Sequence, residues 1–208
     1  MKAAILAIAV SLTLTLPAWA QDTNGQSALQ VAKQTAEHIT HEINQNREKY
    51  RKNPEALYSL VNKVVLPHFD FRYMSRIVLG RYWRQATPGQ RKRFTQAFKS
   101  LLVHTYANSL LKYSDHKIIW KPVHAKDNAQ RVTIRSEVEL EHGSPVPINY
   151  RAVLENGQWK VYDVAVDGVS LVTNYRSSFA IQARRNGIDK LIERIQKKSE
   201  QKAGNHAS

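Results

Sequence analysis

The sequence of 208 residues contains no cysteine, and its 17 acidic residues are outnumbered by 31 lysines and arginines. Without cysteine the chain has no disulfides, no thiolate metal ligands and no thiol redox chemistry, so it must fold on its hydrophobic core alone. It also lacks a GxSxG elbow, an HExxH pair and a glycine-rich phosphate loop, which leaves nucleophilic catalysis without support. The formal net charge of +14 favours an anionic partner.

The N-terminus has the features of a secretory signal peptide. Lys2 is followed by an apolar run from Ala3 to Leu16 and then by the small-x-small triplet Ala18-Trp19-Ala20. The run is too short to span a hydrocarbon core of about 30 Å. We therefore predict cleavage after Ala20, with an uncleaved signal anchor as the alternative. For an exported chain, anionic lipid or acidic proteins are better partners than nucleic acid.

Before residue 115, apolar residues recur with a helical period. Ser27 suits an N-cap, Gly80 suits a C-cap, and Thr87-Pro88 is an N-cap followed by proline at the first helical position. The predicted helices span residues 27–50, 54–67, 71–79 and 87–113.

After residue 115 the hydrophobic period changes to two, which predicts strands with one apolar face. Asn156-Gly157 between two alternating runs indicates a hairpin. The predicted strands span residues 117–123, 131–141, 146–154 and 159–166. We expect an α+β fold in which a helical layer packs on a curved, antiparallel, four-stranded sheet.

Two further helices are predicted at the C-terminal end, from Leu171 to Arg185 and, after an interruption at Gly187, around Ile188 to Ile195. No repeat or low-complexity linker divides the chain after the signal peptide. We therefore expect one domain over residues 21–196 and a polar, frayed tail over residues 197–208.

Histidines and one aspartate are the candidates for chemistry. His38 and His41 lie three apart on one predicted helix, but no third metal ligand is near, so two exposed histidines are the simpler interpretation. Asp163 shares strand parity with Trp159 and Val161. It is either a base in a buried cavity or a structural carboxylate that pairs with arginine or accepts backbone N–H groups.

The stretch from Arg72 to Phe98 contains no acidic residue. Its apolar side chains are expected to face the sheet and its cations to face outward, around a cavity mouth or on a docking surface. A solvated basic face is the alternative. The candidate residues for docking a partner or a head group are Arg76, Arg81, Arg84, Arg91 and Arg93.

Three segments carry a resemblance to a known family. They are VLPHFDFRYMSRIVLGRYWRQATPGQRKRFTQAF, NGQWKVYDVAVDGVSLVTNYRSSF and NGIDKLIERI. Their order and spacing resemble those of the MlaC family of periplasmic phospholipid-shuttle proteins, also called toluene-tolerance proteins.

This resemblance implies a monomeric periplasmic carrier with an NTF2-like sheet. It would pass phospholipid between an outer-membrane lipoprotein-porin complex and an inner-membrane ABC transporter with an MCE-domain protein, and so maintain outer-membrane lipid asymmetry. Phospholipid would be its cargo, without a cofactor, a metal ion or nucleic acid.

A carrier of this kind needs apolar side chains that line a cavity, although a solid core would use the same faces. Two rival functions remain open, a small-substrate enzyme that uses Asp163 and a basic adaptor that carries no lipid. The candidate lipid-lining residues are Phe69, Met74, Ile77, Val78, Phe98, Leu101, Leu102, Tyr106, Val132, Ile134, Ile148, Tyr150, Trp159, Val164, Val169 and Leu171.

Overall fold

The computed structural model describes residues 25–126 and 128–204. The predicted signal peptide lies outside the described residues. Along the chain the elements are α1 (Gly25–Gln45), α2 (Arg47–Lys52), α3 (Pro54–Val64), a 3-10 turn (Leu66–His68), α4 (Phe71–Leu79), α5 (Arg81–Gln85), α6 (Pro88–Tyr113), β1 (Ile118–Trp120), β2 (Arg131–Val138), β3 (Val146–Glu155), β4 (Gln158–Val166), β5 (Val169–Ser170) and α7 (Leu171–Gly204). None of the helices in this part of the chain is long and apolar enough to cross a bilayer.

Local capping explains where α4 and α6 begin. Thr87 Oγ1 accepts a hydrogen bond from the Gln90 N–H at 3.2 Å, and Gln90 Oε1 accepts one from the Thr87 N–H at 2.9 Å. This capping box, with Pro88 at the first position, starts α6 where the sequence predicted. Asp70 caps α4 in the same way, because its Oδ1 accepts from the Tyr73 N–H at 2.8 Å.

The helical boundaries differ from the prediction in several places. Helix α1 begins before Ser27, which is therefore not its N-cap, and α3 ends at Val64. The expected first helix, residues 27–50, divides at Asn46, whose backbone (φ −127°, ψ 29°) is not helical. Helix α5 was not predicted, since its 5 residues follow Gly80 directly and are too few to show a hydrophobic period.

The strands form an antiparallel sheet in the order β1-β2-β3-β4-β5. The predicted count of four strands is corrected to five, because a short turn at Asp167 and Gly168 returns the chain to pair Val169 with Val166. The hairpin predicted at Asn156-Gly157 is confirmed. Both residues have positive φ, at 49° and 75°, as a type I′ turn requires.

Cross-strand partners place their side chains on the same face, so the register defines one largely apolar face of the sheet. We call it the inner face. Its members are Ile118 and Trp120 of β1, Val132, Ile134, Ser136 and Val138 of β2, Val146, Ile148, Tyr150, Ala152 and Leu154 of β3, and Trp159, Val161, Val164 and Val166 of β4.

A bulge in β4 changes which side chains share that face. Ala152 pairs with Val161, but the neighbouring Arg151 pairs with Asp163, so one extra residue lies between the two pairs. The expectation that Asp163 shares a face with Trp159 and Val161 is therefore wrong, because the bulge reverses the alternation. Asp163 points away from the inner face.

On the opposite side of the sheet, Asp163 joins β4 to the first turn of α7. Its side chain is 3% exposed. Its Oδ1 accepts from the Val172 N–H at 3.1 Å and its Oδ2 from the Ser170 hydroxyl at 2.7 Å, while the Arg151 guanidinium lies 3.4 Å away. Both carboxylate oxygens are therefore bonded to groups that fix the N-terminus of α7. This agrees with a structural role for Asp163 and not with a role as a catalytic base.

The helices pack mainly on one another. In the described chain, one buried cluster joins α4, α5, α6 and α7, and a second joins α1, α2 and α3 to α6. A third cluster sets the N-terminal half of α1 against the inner face of the sheet. The principal packing partners of α6 are helices, and α1 is the helix that covers the inner face.

The C-terminal helix differs from the prediction in length. It breaks at Gly187 (φ 80°, ψ 172°), as expected, and then continues to Gly204. The predicted frayed tail is thus corrected over residues 197–204. Ser199 is buried there, and its Oγ and carbonyl oxygen lie 2.9 and 3.0 Å from His104 Nδ1 on α6.

We expect Asp163→Asn to lower the free energy of unfolding by about 1–2 kcal/mol, because the neutral amide weakens the bonds from Val172 and Ser170. Arg151→Ala should cost less than about 1 kcal/mol, since that guanidinium is largely solvated. Urea denaturation followed by circular dichroism measures both. Equal stability of Asp163→Asn and the unmodified protein would contradict this role.

Candidate functional site

The inner face of the sheet is closed at one end by α1. Ala28 and Leu29 pack on Val132, Ile134 and Trp159 in one buried cluster. The indole Nε1–H of Trp159 also donates to the Ser27 hydroxyl of α1 at 2.9 Å. This end of the face is therefore solid protein.

At its other end the same face remains partly open. Its apolar side chains are only half-buried, and Val166 and Val169 at the β4–β5 edge are 39% and 57% exposed. Monomeric proteins rarely leave a continuous apolar surface of this kind without a ligand or partner to cover it. The half-buried members are Ile118, Trp120, Val138, Val146, Ile148, Tyr150 and Val164.

Tyr150 lies where the closed and open ends of the face meet. It packs against the cluster formed with α1, yet its side chain retains solvent-accessible surface. Burial raises the pKa of its phenol. The Trp120 ring stacks beside Tyr150 with 6.0 Å between the centroids, so two aromatic rings border the open end.

The predicted lining residues divide by burial. Phe69, Ile77, Ile148, Tyr150, Val164 and Leu171 are half-buried, and Tyr106 and Val169 are exposed. Leu102, Val132 and Trp159 are buried with small accessible fractions. Five others are packed inside the clusters with at most 1% of their surface exposed, as side chains of a solid core would be: Met74, Val78, Phe98, Leu101 and Ile134.

Several members of the inner face were absent from the prediction, namely the half-buried Ile118, Trp120, Val138 and Val146 and the exposed Val166. Their spacing of two residues along the predicted strands could have identified them, because every second position of a strand shares a face. The shift produced by the β4 bulge could not have been found in this way.

The basic segment is only partly free. The Arg91 Nε and Nη2 atoms donate to the carbonyl oxygens of Trp83 and Arg84, at 2.9 and 3.4 Å, so Arg91 caps the end of α5. Arg93 forms an ion pair with Asp189 of α7. Both cations therefore have structural roles that the sequence did not indicate.

The other three candidate cations remain available. Within residues 25–126 and 128–204, Arg76, Arg81 and Arg84 form no ion pair with a carboxylate. The Arg76 and Arg81 guanidinium groups lie over the rings of Tyr73 and Tyr82, at 4.8 and 5.0 Å from the centroids. All three side chains are exposed, so they present positive charge on the surface of α4 and α5.

A second concavity lies between the two halves of α7. It has a volume of about 270 Å³, and its lining combines the cations Arg194 and Lys198 with buried Tyr175 and Phe179. Burial and the neighbouring Tyr106 raise the pKa of the Tyr175 phenol. This groove is separate from the inner face, and its remaining lining residues are Asn174, Ser178, Gln182 and Ile195.

The part of the chain that the structure describes contains no candidate metal-binding site. No group of three or more histidine, aspartate or glutamate side chains there could hold an ion. His38 and His41 are both exposed on α1, as the simpler interpretation expected.

Comparison with known proteins supports the resemblance. Residues 33–197 match the profile of the MlaC protein family. The chain is 32% identical over 171 residues to the toluene tolerance protein ttg2D of Pseudomonas putida, a match that covers 81% of this chain and 79% of that protein. It is 28% identical over 172 residues to the intermembrane phospholipid transport system binding protein MlaC of Haemophilus influenzae, which covers 81% and 80%.

The fold agrees with a solved structure. The phospholipid-binding protein from Ralstonia solanacearum, in complex with a phospholipid, superposes with a TM-score of 0.79 at 30% identity, over 85% of this chain and 98% of that one. The predicted fold class and family are both confirmed. The order of its elements, the profile match over residues 33–197 and the agreement with that structure together show that this chain belongs to the MlaC family.

Proposed function

We propose that this protein is a periplasmic phospholipid carrier that holds acyl chains against the open end of the inner face. The observation that carries the proposal is a partly exposed apolar surface bordered by two aromatic rings, in a fold whose solved relative contains a phospholipid. The helical side of the site would include Phe69, Ile77 and Leu171. Such a carrier needs no catalytic residue. The hydrogen bonds that Asp163 accepts from Ser170 and Val172 make its carboxylate unsuitable as a catalytic base.

The energetics explain why a carrier is needed. Two acyl chains contain on the order of thirty methylenes, and exposing them to water costs more than about 20 kcal/mol at ~0.8 kcal/mol per CH₂. A lipid therefore crosses an aqueous compartment slowly unless protein covers its chains. The free energy of the acyl chains in the protein must be close to their free energy in a bilayer. If the protein bound them much more tightly, the cargo would not leave.

The finer part of the proposal concerns the route. An exported family member would receive phospholipid at one membrane and deliver it at the other, between an outer-membrane lipoprotein-porin complex and an inner-membrane MCE-domain ABC transporter complex. This transfer would maintain outer-membrane lipid asymmetry. The exposed cations of α4 and α5 are suited to acidic docking surfaces on such partners.

The purified protein should carry phospholipid in near-stoichiometric amount. Mass spectrometry of organic extracts, with the lipid quantified per chain, measures this, and an unrelated basic protein purified in parallel is the control. A folded protein that is empty, and stays empty after incubation with vesicles, would contradict the carrier and favour the adaptor.

Val164→Glu should reduce the bound lipid by about ten-fold or more, because a carboxylate on the inner face would have to be desolvated against acyl chains. Val153→Glu is the matched control. It introduces the same change on the opposite face of the sheet, where Arg131 and Lys160 are the cross-strand partners. Lipid per chain by mass spectrometry and melting temperature by circular dichroism separate lost binding from lost folding.

If Val164→Glu retained full occupancy, Val164 would not contact the cargo. Leu102 is a poorer test position, because it is buried in the cluster between α4, α6 and α7 and a charge there would destabilise the fold itself.

Arg76→Glu combined with Arg84→Glu should slow association with anionic phosphatidylglycerol vesicles by about ten-fold at low ionic strength, with little effect at high salt. The control is Lys126→Glu combined with Arg135→Glu, which changes the net charge equally at exposed positions near and on β2. Stopped-flow fluorescence measures the rates. Equal slowing by both pairs would show that net charge, and not the α4–α5 surface, directs binding.

A further inference from the structure

The groove between the two halves of α7 takes no part in the carrier site. In a straight helix Tyr175 and Ile195 would lie about 30 Å apart, yet both line this groove, because the positive φ of Gly187 (80°) folds the second half back along the first. The groove thus has two facing walls, each a row of side chains at intervals of four residues. The polar wall consists of Asn174, Ser178 and Gln182, and the cationic wall consists of Arg194 and Lys198.

The two cations of the groove have no counter-charge. Within residues 25–126 and 128–204, neither Arg194 nor Lys198 forms an ion pair with a carboxylate, and no residue that lines the groove is acidic. The positions three and four residues from either cation along α7 also contain no acid, so the helix itself offers no ion pair. Both side chains are exposed. The cationic wall therefore presents two uncompensated charges, about 6 Å apart along the helix axis.

The floor between the walls is apolar and already formed. Tyr175, Phe179 and Ile195 are buried there. The Phe179 ring packs edge-on against Phe94 and Phe98 of α6, with 6.1 Å between the centroids in both pairs. Because helix-on-helix packing fixes the floor, a ligand can enter the groove without any rearrangement of the helices.

The dimensions of the groove favour a peptide over other anions. Its volume of about 270 Å³ is below the roughly 300–1,000 Å³ of pockets that enclose a small molecule. A bilayer surface is flat on this scale and does not enter a cleft between two helices. The polar wall is about 12 Å long, which is the length of four residues of extended peptide.

An extended peptide also matches the spacing of the charges. Its side chains alternate between two sides, and residues at positions i and i+2 lie on one side about 7 Å apart. This distance is close to the axial separation of Arg194 and Lys198. Carboxylates at alternate positions of such a peptide would both face the cationic wall.

We propose that this groove binds an extended acidic segment of a partner protein. Its alternate carboxylates face Arg194 and Lys198, while the amide and hydroxyl groups of the polar wall donate hydrogen bonds to the intervening residues. The inner face of the sheet is not involved. The inference therefore goes beyond the carrier function and does not require it.

The groove is also separate from the exposed cations of α4 and α5. Gly80, which joins those helices, has the guanidinium of Arg176 beside it. Arg176 is two residues from both Asn174 and Ser178, which places it about 200° around α7 from the polar wall. The α4–α5 surface and the groove thus lie on opposite sides of α7 and can be tested independently.

The test is an NMR titration of the isotope-labelled, full-length protein with two blocked peptides of identical composition at low ionic strength. Ser-Glu-Ser-Glu-Ser presents both carboxylates on one side of an extended chain, whereas Ser-Ser-Glu-Glu-Ser presents them on opposite sides. The alternating peptide should bind about three-fold or more tightly than the other, because only it pairs with both cations at once. Its chemical-shift changes should concentrate at the backbone amides of the groove.

Arg194→Glu combined with Lys198→Glu should weaken binding of the alternating peptide by about ten-fold or more and should permit binding of Ser-Lys-Ser-Lys-Ser. The matched control is Lys92→Glu combined with Arg184→Glu, which changes the net charge equally at exposed positions outside the groove. It should leave the groove shifts unchanged. Melting temperatures by circular dichroism confirm that both variants are folded.

Equal affinity for the two acidic peptides, shifts centred on α4 and α5, or no shifts at all would overturn the inference. Equal groove shifts with inorganic phosphate at the same concentration would also overturn it, since they would indicate a simple anion site. If the variant of the cationic wall failed to fold, the comparison of the two acidic peptides on the unmodified protein would still decide. Lipid occupancy is measured separately by mass spectrometry, so failure here would leave the carrier function intact.

Discussion

The sheet and the helical layer are joined through the buried carboxylate of Asp163. It accepts from the Val172 N–H and the Ser170 hydroxyl at the start of α7, and α7 then packs along α6. The β4 bulge is what directs this carboxylate away from the inner face. Because the helices are anchored at that edge and pack on one another, the inner face is covered by α1 at one end and stays open at the other.

This arrangement separates stability from binding. The clusters among α1 to α7 contain the side chains with almost no exposed surface, and they can stabilise the fold without a ligand. The open end of the sheet contributes less to stability, since part of its apolar surface stays exposed to water and each Å² buried is worth about 25 cal/mol. In the proposed carrier, cargo that covers this surface would gain that free energy without the helical clusters having to rearrange.

Much of the architecture follows from the sequence because its causes are local. A capping box at Thr87 and Gln90 starts α6, glycine ends α4 and breaks α7, and Asn156-Gly157 forms a hairpin turn. The change from a period of 3.6 to a period of two gives the order of helices and strands. The resemblance to the MlaC family depended on the same order of elements, and the family profile matches over residues 33–197.

Tertiary structure decided which of these faces are solid and which are open. Met74, Phe98 and Leu101 have the pattern expected of a cavity lining, yet helix-on-helix packing leaves them at most 1% exposed, while Ile148 and Val164 stay partly exposed. The sequence by itself determined the elements, their amphipathic faces and the basic segment. Only the fold decided the face of Asp163 and the roles of Arg91 and Arg93, because a bulge and long-range contacts leave no local pattern in the residues that make them.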